Sequence, residues 1–233
     1  MKKIFLLCLC IIALIINPIP VQSAEPIPTK VKVGLYYDSS AQSLYQLTSD
    51  SGFKVMINYG QENVTEMTCF DKLLKVYTAD LDTFTSTRDN FSNKQRALEY
   101  ASDLERSGVE TYLLFDGSWS VWRKADEKKS SSRYTYLAIK GDSNNPGFLL
   151  PFNGQQEVTF EGTSPKSLIA IEGRRYRGML KMTPAGGGNI QVVNELGLQE
   201  YLYGVVPMEV SPSWHEAVLK AQAVAARTYT IAN

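Results

Sequence analysis

The stretch LQEYLYGVVPMEV at residues 198–210 and the stretch KAQAVAARTYT at residues 220–230 decide the fold of the C-terminal part of this chain of 233 residues. The first continues an apolar pattern that predicts a helix from Leu196 to Tyr203. The second belongs to a helix predicted at 213–232, because small apolar residues recur at the spacing of one helical face.

The last helix carries a capping box and an alanine-rich face. Ser213 is the predicted N-cap, and Glu216 returns the hydrogen bond. One face is formed by Trp214, Ala217, Val218, Ala221, Ala225 and Ala232. Small side chains let another backbone approach closely, so we expect this helix to be buried in its domain. His215, the one histidine, falls in the first turn and is expected at the surface.

These segments resemble the SpoIID family, which includes stage II sporulation protein D and the LytB amidase enhancers. The resemblance is dense over 198–210 and again over 217–229. Looser matches are Tyr176-Arg177-Gly178 and Val192-Val193-Asn194, which look like the strands before the motif, and 34–55, which resembles the start of such proteins. The resemblance implies a lytic transglycosylase that cleaves peptidoglycan glycan strands at the MurNAc–GlcNAc bond and leaves a 1,6-anhydro end. It also implies a preference for strands whose stem peptides have been removed.

The resemblance places the family's catalytic acid on Glu209 and its motif arginine on Arg227. Val210 stands where methionine is usual, a departure that leaves the acid in place. Gln222, between the helix faces, is a weaker candidate for a glycan contact. From the residues alone, the plainer interpretation pairs Glu209 with a base and puts Arg227 on a solvated face with Lys220.

One carboxyl group is enough for this reaction, although most glycosidases use two. The C6 hydroxyl of the muramic sugar is tethered to the reacting carbon, and such intramolecular attack reaches effective molarities of about 10⁵ M or more. The single acid protonates the leaving oxygen and then accepts the C6 proton. Apolar surroundings would keep it protonated near neutral pH. Glu209 is expected in such a setting, because its neighbours in sequence are Val205, Val206, Pro207, Met208, Val210 and Trp214.

The remaining pattern predicts short strands with a few helices, and hence an α+β fold. Strands are predicted at 31–37, 52–57, 110–115, 167–172, 176–182 and 190–193. Residues 70–83 show no clear period. We expect an N-terminal α+β region at 24–146 and a SpoIID-like core at 147–233, which the end of the sequence truncates.

The unit at 93–123 predicts a helix at 93–107, followed by a hairpin that turns at Asp116-Gly117. In this order it resembles part of a SPOR-type peptidoglycan-binding module. Trp119 and Trp122, on the returning strand, are therefore candidates to stack on sugars. The alternative is that both tryptophans belong to the core.

Residues 1–23 predict a secretory signal peptide. Lys2 and Lys3 precede an unbroken apolar run from Ile4 to Ile16, which is shorter than the roughly 20 residues that span a membrane. An uncleaved anchor is the alternative. Either predicts a protein that is secreted or held at the cell surface, on the outer side of the cytoplasmic membrane.

The net charge and the number of cysteines limit which cofactors and partners can be expected. The chain has 24 basic and 24 acidic residues, which argues against a nucleic-acid partner. Without the signal peptide only Cys69 remains, so an internal disulfide is excluded. Cys69 and His215 cannot make a metal site alone, and no cofactor is expected. The resemblance implies that the zinc ligands of some SpoIID relatives would fall beyond Asn233.

Three functions stay open from the sequence. The first is glycan-strand cleavage by Glu209, in sporulation or cell-wall remodelling. The second is a non-catalytic amidase enhancer of the LytB kind, whose partner is a cell-wall amidase. The third is a peptidoglycan-binding module that uses Trp119 and Trp122. All three share peptidoglycan glycan strands as the expected setting.

Overall fold

The computed structural model describes residues 28–58, 64–126, 135–152, 154 and 156–232. Within them the chain forms strands in two sheets together with α-helices, which confirms the predicted α+β class. The strands are β1 (Lys30–Tyr36), β2 (Leu44–Ser49), β3 (Phe53–Asn58), β4 (Val64–Cys69), β5 (Leu73–Asp80), β6 (Phe84–Phe91), β7 (Thr111–Phe115), β8 (Trp119–Lys124), β9 (Thr135–Gly141), β10 (Gly147–Pro151), β11 (Glu157–Gly162), β12 (Ile169–Ile171), β13 (Arg174–Tyr176), β14 (Met179–Ala185) and β15 (Asn189–Gly197). The helices are α1 (Lys94–Arg106), α2 (Leu198–Glu209) and α3 (Glu216–Ala232).

The two sheets differ in size and in strand direction. The smaller has the order β1-β15-β14-β11-β3-β4 and is antiparallel throughout. The larger has the order β13-β12-β2-β5-β9-β10-β7-β8-β6, and its one parallel pair is β10 with β7. Strands β1 and β13 are therefore edge strands, one in each sheet.

The main core lies between the two sheets. Every second residue of β15 is buried, and β2 and β3 alternate in the same way. Because successive side chains of a strand point to opposite faces, each sheet presents one apolar face. Tyr45 and Leu47 of the larger sheet share a buried cluster with Phe53 of the smaller one. The Tyr45 hydroxyl accepts a hydrogen bond from the Gln42 N–H at 2.9 Å and donates one to the Ile190 carbonyl at 3.2 Å, which ties the two sheets together.

Helix α1 packs on strands β7 and β8 of the larger sheet and confirms the helix predicted at 93–107. Asn93 caps it, since its Oδ1 accepts a hydrogen bond from the Arg96 N–H at 3.0 Å. Ala97 and Ala101 are fully buried against the two strands. The predicted hairpin is present as β7 and β8.

Several predicted elements have different bounds, and two of these differences concern the segments next to the C-terminal helices. The helix predicted at 196–203 is shifted, because Leu196 is buried at the end of β15 and α2 runs on past Pro207. The strand predicted at 176–182 is divided at Gly178, whose backbone φ of +73° turns the chain between β13 and β14.

The predicted division of the chain near residue 146 stays a prediction. Strands from either side of that residue lie in both sheets: β1 pairs with β15, β3 pairs with β11, and β12 pairs with β2. The predicted signal peptide at 1–23 lies outside the described residues. In the described part of the chain, no helix is long and apolar enough to cross a membrane.

Candidate functional site

Helix α2 is fixed to the smaller sheet by its first turn. Leu198 is buried and packs with Val31 of β1 and Leu196 of β15. Glu200 reaches back so that its Oε2 accepts a hydrogen bond from the Gly197 N–H at 3.1 Å. This bond orders the junction between β15 and α2.

The last turn of α2 presents Glu209. Pro207 lies inside this turn and has no N–H to donate. The Val210 N–H still bonds to the Val206 carbonyl at 3.1 Å, and Val210 itself is extended, so the helix stops at Glu209. Glu209 is exposed, as is its neighbour Met208. The apolar enclosure expected around Glu209 is therefore wrong, because its apolar neighbours in sequence do not fold over it.

Helix α3 begins later than the sequence predicted. It starts at Glu216, and the His215 Nδ1 accepts a hydrogen bond from the Ala217 N–H at 3.2 Å. The Ser213 hydroxyl instead lies 2.9 Å from the Ser211 hydroxyl. The predicted capping box is therefore wrong, and His215, exposed as predicted, is the residue that caps the helix.

The alanine-rich helix is not buried in a core. In the described part of the chain α3 has no buried residue, and it packs chiefly on α2. Val224 is 66% exposed and Trp214 is 56% exposed. The predicted burial of this helix is wrong, because one neighbouring helix covers only one side of it.

A groove of about 300 Å³ runs between α2 and α3, and we call it the interhelical groove. Helix α2 supplies one face at four-residue spacing, with Tyr201, Val205 and Glu209. The opposite wall comes from α3 and consists of Gln222, Ala225, Ala226, Tyr229 and Thr230. The alanine methyl groups leave the middle of the groove open.

The interhelical groove brings two predicted site residues together, Glu209 and Gln222. It adds two tyrosines that sequence reasoning missed, Tyr201 and Tyr229. The available signal was helical spacing, since residues four apart from Glu209 along α2 lead through Val205 to Tyr201. The groove thus combines one carboxyl group, one amide and two phenol rings along an open channel.

Arg227 does not line the interhelical groove. Its Nη2 donates a hydrogen bond to the Gln199 Oε1 at 2.7 Å, in the first turn of α2. Arg227 therefore ties the two helices to each other. A contact of Arg227 with glycan stays a prediction. The charge row on the same helix is present as the pair between Lys220 and Glu216 at 2.8 Å.

The two predicted tryptophans lie on opposite faces of β8, because they are three residues apart in a strand. Trp119 packs in the cluster under α1, with its ring centroid 5.0 Å from that of Phe115. Trp122 packs in a separate cluster, and its Nε1 donates a hydrogen bond to the Ser120 hydroxyl at 2.8 Å. The two rings do not form one platform for a sugar chain, and sugar binding by either stays a prediction.

A second cavity, of about 360 Å³, adjoins the interhelical groove, and we call it the arginine pocket. It lies where the edge strands β1 and β13 meet beside α2. Tyr201 and Val205 line both cavities. Other members of its lining are Arg175, Tyr176, Arg177, Asn194, Glu200 and Tyr203. Sequence reasoning missed this pocket, because its strands β1 and β13 belong to different sheets and meet only through the packing of the tertiary structure.

No group of three or more His, Cys, Asp or Glu side chains is placed to hold a metal ion within the residues the structure describes. Cys69 donates a hydrogen bond from its thiol to the Asp71 Oδ2 at 2.9 Å. Burial, together with this hydrogen bond, raises the pKa of Cys69 to about 12. The thiol is therefore neutral at physiological pH and is a poor nucleophile.

Comparison with known proteins supports the assignment of the C-terminal segment. Residues 186–233 match the model of the SpoIID family, described as stage II sporulation protein, so the predicted resemblance is confirmed over the segment that forms the interhelical groove. This description relates the segment to sporulation or the cell wall. A stretch of 77 residues is 49% identical to an uncharacterised protein of Brachyspira hyodysenteriae, and it covers 33% of this chain. The match spans 20% of that relative's length. No solved structure matches the chain.

Proposed function

We propose that this chain acts on the cell wall as a lytic transglycosylase, with Glu209 as the proton donor and acceptor. The substrate class is the peptidoglycan glycan strand, cleaved between MurNAc and GlcNAc with formation of a 1,6-anhydroMurNAc end. The observation that carries the proposal is the interhelical groove, which holds Glu209 together with Gln222 and two tyrosines in a segment that matches SpoIID.

The groove suits an extended sugar chain. Tyr201 and Tyr229 offer aromatic rings, which combine apolar faces with polar hydroxyl groups and so match the mixed surface of a sugar. The small side chains of Ala225 and Ala226 leave room between the two tyrosine rings. Tyr201 and Glu209 are eight residues apart in one helix, which corresponds to about 12 Å along its axis. Several sugar units of a glycan strand in this groove would therefore contact α2.

The reaction then needs one carboxyl group. Glu209 gives its proton to the glycosidic oxygen that leaves with the GlcNAc residue, and the bond from this oxygen to C1 of MurNAc breaks. The C6 hydroxyl of the same MurNAc forms the new bond to C1, and its proton passes to Glu209. Because the nucleophile is tethered, about 7 kcal/mol or more of the barrier is removed without activating water. The carboxyl group ends the cycle protonated, as it began.

Substrate binding supplies the enclosure that the free chain lacks. Glu209 is exposed in the structure, but a strand lying in the interhelical groove would cover it and displace water. Exclusion of water favours attack by the C6 hydroxyl over hydrolysis. The proposed site is thus shielded from water only when the substrate occupies it.

The test compares Glu209→Gln with Glu216→Gln in the full chain, incubated with glycan strands freed of stem peptides. Glu216 is a matched control, because it is exposed, pairs with Lys220 and lies outside the groove. The Glu209→Gln amide keeps the shape and cannot donate the proton, so release of anhydro ends should fall about 100-fold or more. Glu216→Gln should match the wild type. Mass spectrometry of the products gives both rates, and a wild-type rate for Glu209→Gln would refute the role of Glu209.

A non-catalytic amidase enhancer is the second candidate, and the exposure of Glu209 favours it, since an acid catalyst is usually enclosed. In that case the wild-type chain releases no anhydro ends from bare glycan. It instead raises the rate at which a purified cell-wall amidase removes stem peptides from sacculi. The same protein preparation serves both assays, so the two candidates give opposite results.

A further inference from the structure

We propose that the arginine pocket binds a carboxylate of the glycan strand, at a sugar other than the one cleaved beside Glu209. This inference rests on the proposed function, because it takes the strand to lie in the interhelical groove. Its basis is a pair of arginines in a cavity that opens onto that groove.

The arginine pocket carries excess positive charge. Neither Arg175 nor Arg177 forms an ion pair with any of the described residues. Glu200 is the one acidic residue in the lining, and its Oε2 already accepts the hydrogen bond from the Gly197 N–H. By contrast, Lys181 on the neighbouring β14 pairs with carboxylates of two glutamates. Within the pocket lining, the two guanidinium groups are therefore the positive charges that have no ion-pair partner.

The backbone around Arg177 is held in place before any ligand binds. The side chain of Asn194, which is 4% exposed, donates a hydrogen bond from Nδ2 to the Arg177 carbonyl at 2.8 Å. Gly178 follows with a φ of +73°, and a Cβ at this position would lie 2.3 Å from the Glu195 carbonyl oxygen. The tight turn therefore requires glycine and fixes the backbone directly after Arg177.

The guanidinium of Arg177 is also oriented. It lies 5.9 Å from the centroid of the Tyr203 ring on α2, a cation–π contact. Tyr203 is 58% exposed, so this contact is open to a ligand on its outer side. An arginine that is oriented in advance loses less freedom when it binds, which favours recognition over a freely moving surface charge.

Arginine forms planar, two-point hydrogen bonds with carboxylate and with phosphate groups, and of these two the glycan strand itself carries carboxylates. In a peptidoglycan strand freed of stem peptides, each muramic acid carries a free carboxylate, whereas each GlcNAc carries none. Tyr201 lines both cavities, so a strand that passes over this ring can place a side group in the arginine pocket. Since Tyr201 lies about 12 Å from Glu209 along α2, the carboxylate belongs to a sugar further along the strand.

The experiment measures binding of two glycan probes by calorimetry, in chains that also carry Glu209→Gln so that the probe is not cut. One probe is a short strand with free muramic carboxylates, and the other is the same strand with each carboxylate converted to a methylamide. The chain with Arg175 and Arg177 intact should prefer the carboxylate probe about tenfold. This preference should weaken as salt increases.

The double variant Arg175→Gln/Arg177→Gln should bind the two probes equally and keep its affinity for the methylamide. Arg174→Gln is the matched control, because Arg174 lies on the same strand as Arg175 but does not line the pocket, and it should keep the tenfold preference. Equal binding of both probes by the chain with intact arginines, or an undiminished preference in the double variant, would overturn the inference. The proposed function fails separately, when Glu209→Gln still releases anhydro ends.

Discussion

Glu105 is the side chain whose removal should most weaken the packing of α1 on the larger sheet. It lies near the end of α1 and is 7% exposed, and its Oε1 is 2.6 Å from the Nζ of Lys140, which is 12% exposed. The same oxygen accepts hydrogen bonds from the Thr111 N–H at 2.6 Å and from the Thr111 hydroxyl at 2.9 Å. One carboxylate thus connects α1, β7 and β9.

The magnitude follows from what each substitution leaves buried. Glu105→Ala removes the counter-charge of the Lys140 ammonium and the acceptor of the Thr111 N–H, although the ammonium keeps its hydrogen bond to the Asn145 carbonyl. Loss of one partner of a buried ion pair costs about 3–5 kcal/mol. Glu105→Gln keeps an acceptor for Thr111 but leaves the ammonium without a counter-charge, so we expect a loss of about 1.5–3 kcal/mol. Adding Lys140→Met to Glu105→Gln should restore part of this loss, because no charge is then buried.

The free energy of unfolding is measured in urea by circular dichroism, with Glu216→Ala as the control. Glu216 pairs with Lys220 at 2.8 Å, but both side chains are more than 70% exposed, so this control should lose less than about 0.5 kcal/mol. If Glu105→Ala loses no more than Glu216→Ala, the buried pair does not hold α1 on the sheet and the reasoning is wrong.

Three further predictions concern titration, thiol reactivity and helix capping. Burial alone would raise the pKa of Asp71, but hydrogen bonds from Cys69 and from the chain after β9 hold it below its ordinary value. The free energy of unfolding should therefore decrease as pH falls below about 4. In urea titrations at pH 7 and pH 3, Asp71→Asn should show a smaller difference between the two pH values than the wild type. At pH 8, in a chain with Cys8→Ser and Cys10→Ser, Cys69 should react with an aromatic disulfide reagent at least about 100-fold more slowly when folded than in urea, and equal rates would contradict its neutral, buried state. His215→Ala should weaken the start of α3 by about 0.5–2 kcal/mol, seen as faster amide exchange in that helix, whereas His215→Asn should retain protection.

The alternation of apolar and polar residues predicted the strands that bury one face, and it failed for strands that are covered on both faces. In β15 every second residue is buried, so a strand at 190–193 was evident from the sequence and differs only in length. In β5, Leu74 and Val76 face the main core, whereas Tyr77 and Ala79 pack on a second cluster. Apolar residues on both faces remove the period of two, which is why 70–83 gave no assignment.

The candidate site was predictable only in part. The interhelical groove follows from local helical spacing, whereas the arginine pocket follows from tertiary packing. Glu209 and Gln222 were identified through their motif, and the four-residue spacing that leads to Tyr201 is a local property of one helix. The arginine pocket depends instead on the meeting of β1 and β13, which belong to different sheets. The alanine pattern of α3 was misread as core, since small side chains equally permit close approach of a helix or of a ligand.

The walls of the two cavities differ in burial, and this difference bears on the order of binding. The arginine pocket is built on edge strands of both sheets, with the buried side chain of Asn194 beneath it. The outer wall of the interhelical groove is α3, which has no buried residue in the described chain and is tied to α2 partly by the bond from Arg227 to Gln199. Segments with few buried contacts open at low free-energy cost. A glycan strand held first by the arginine pocket would therefore meet a groove wall that can adjust to it.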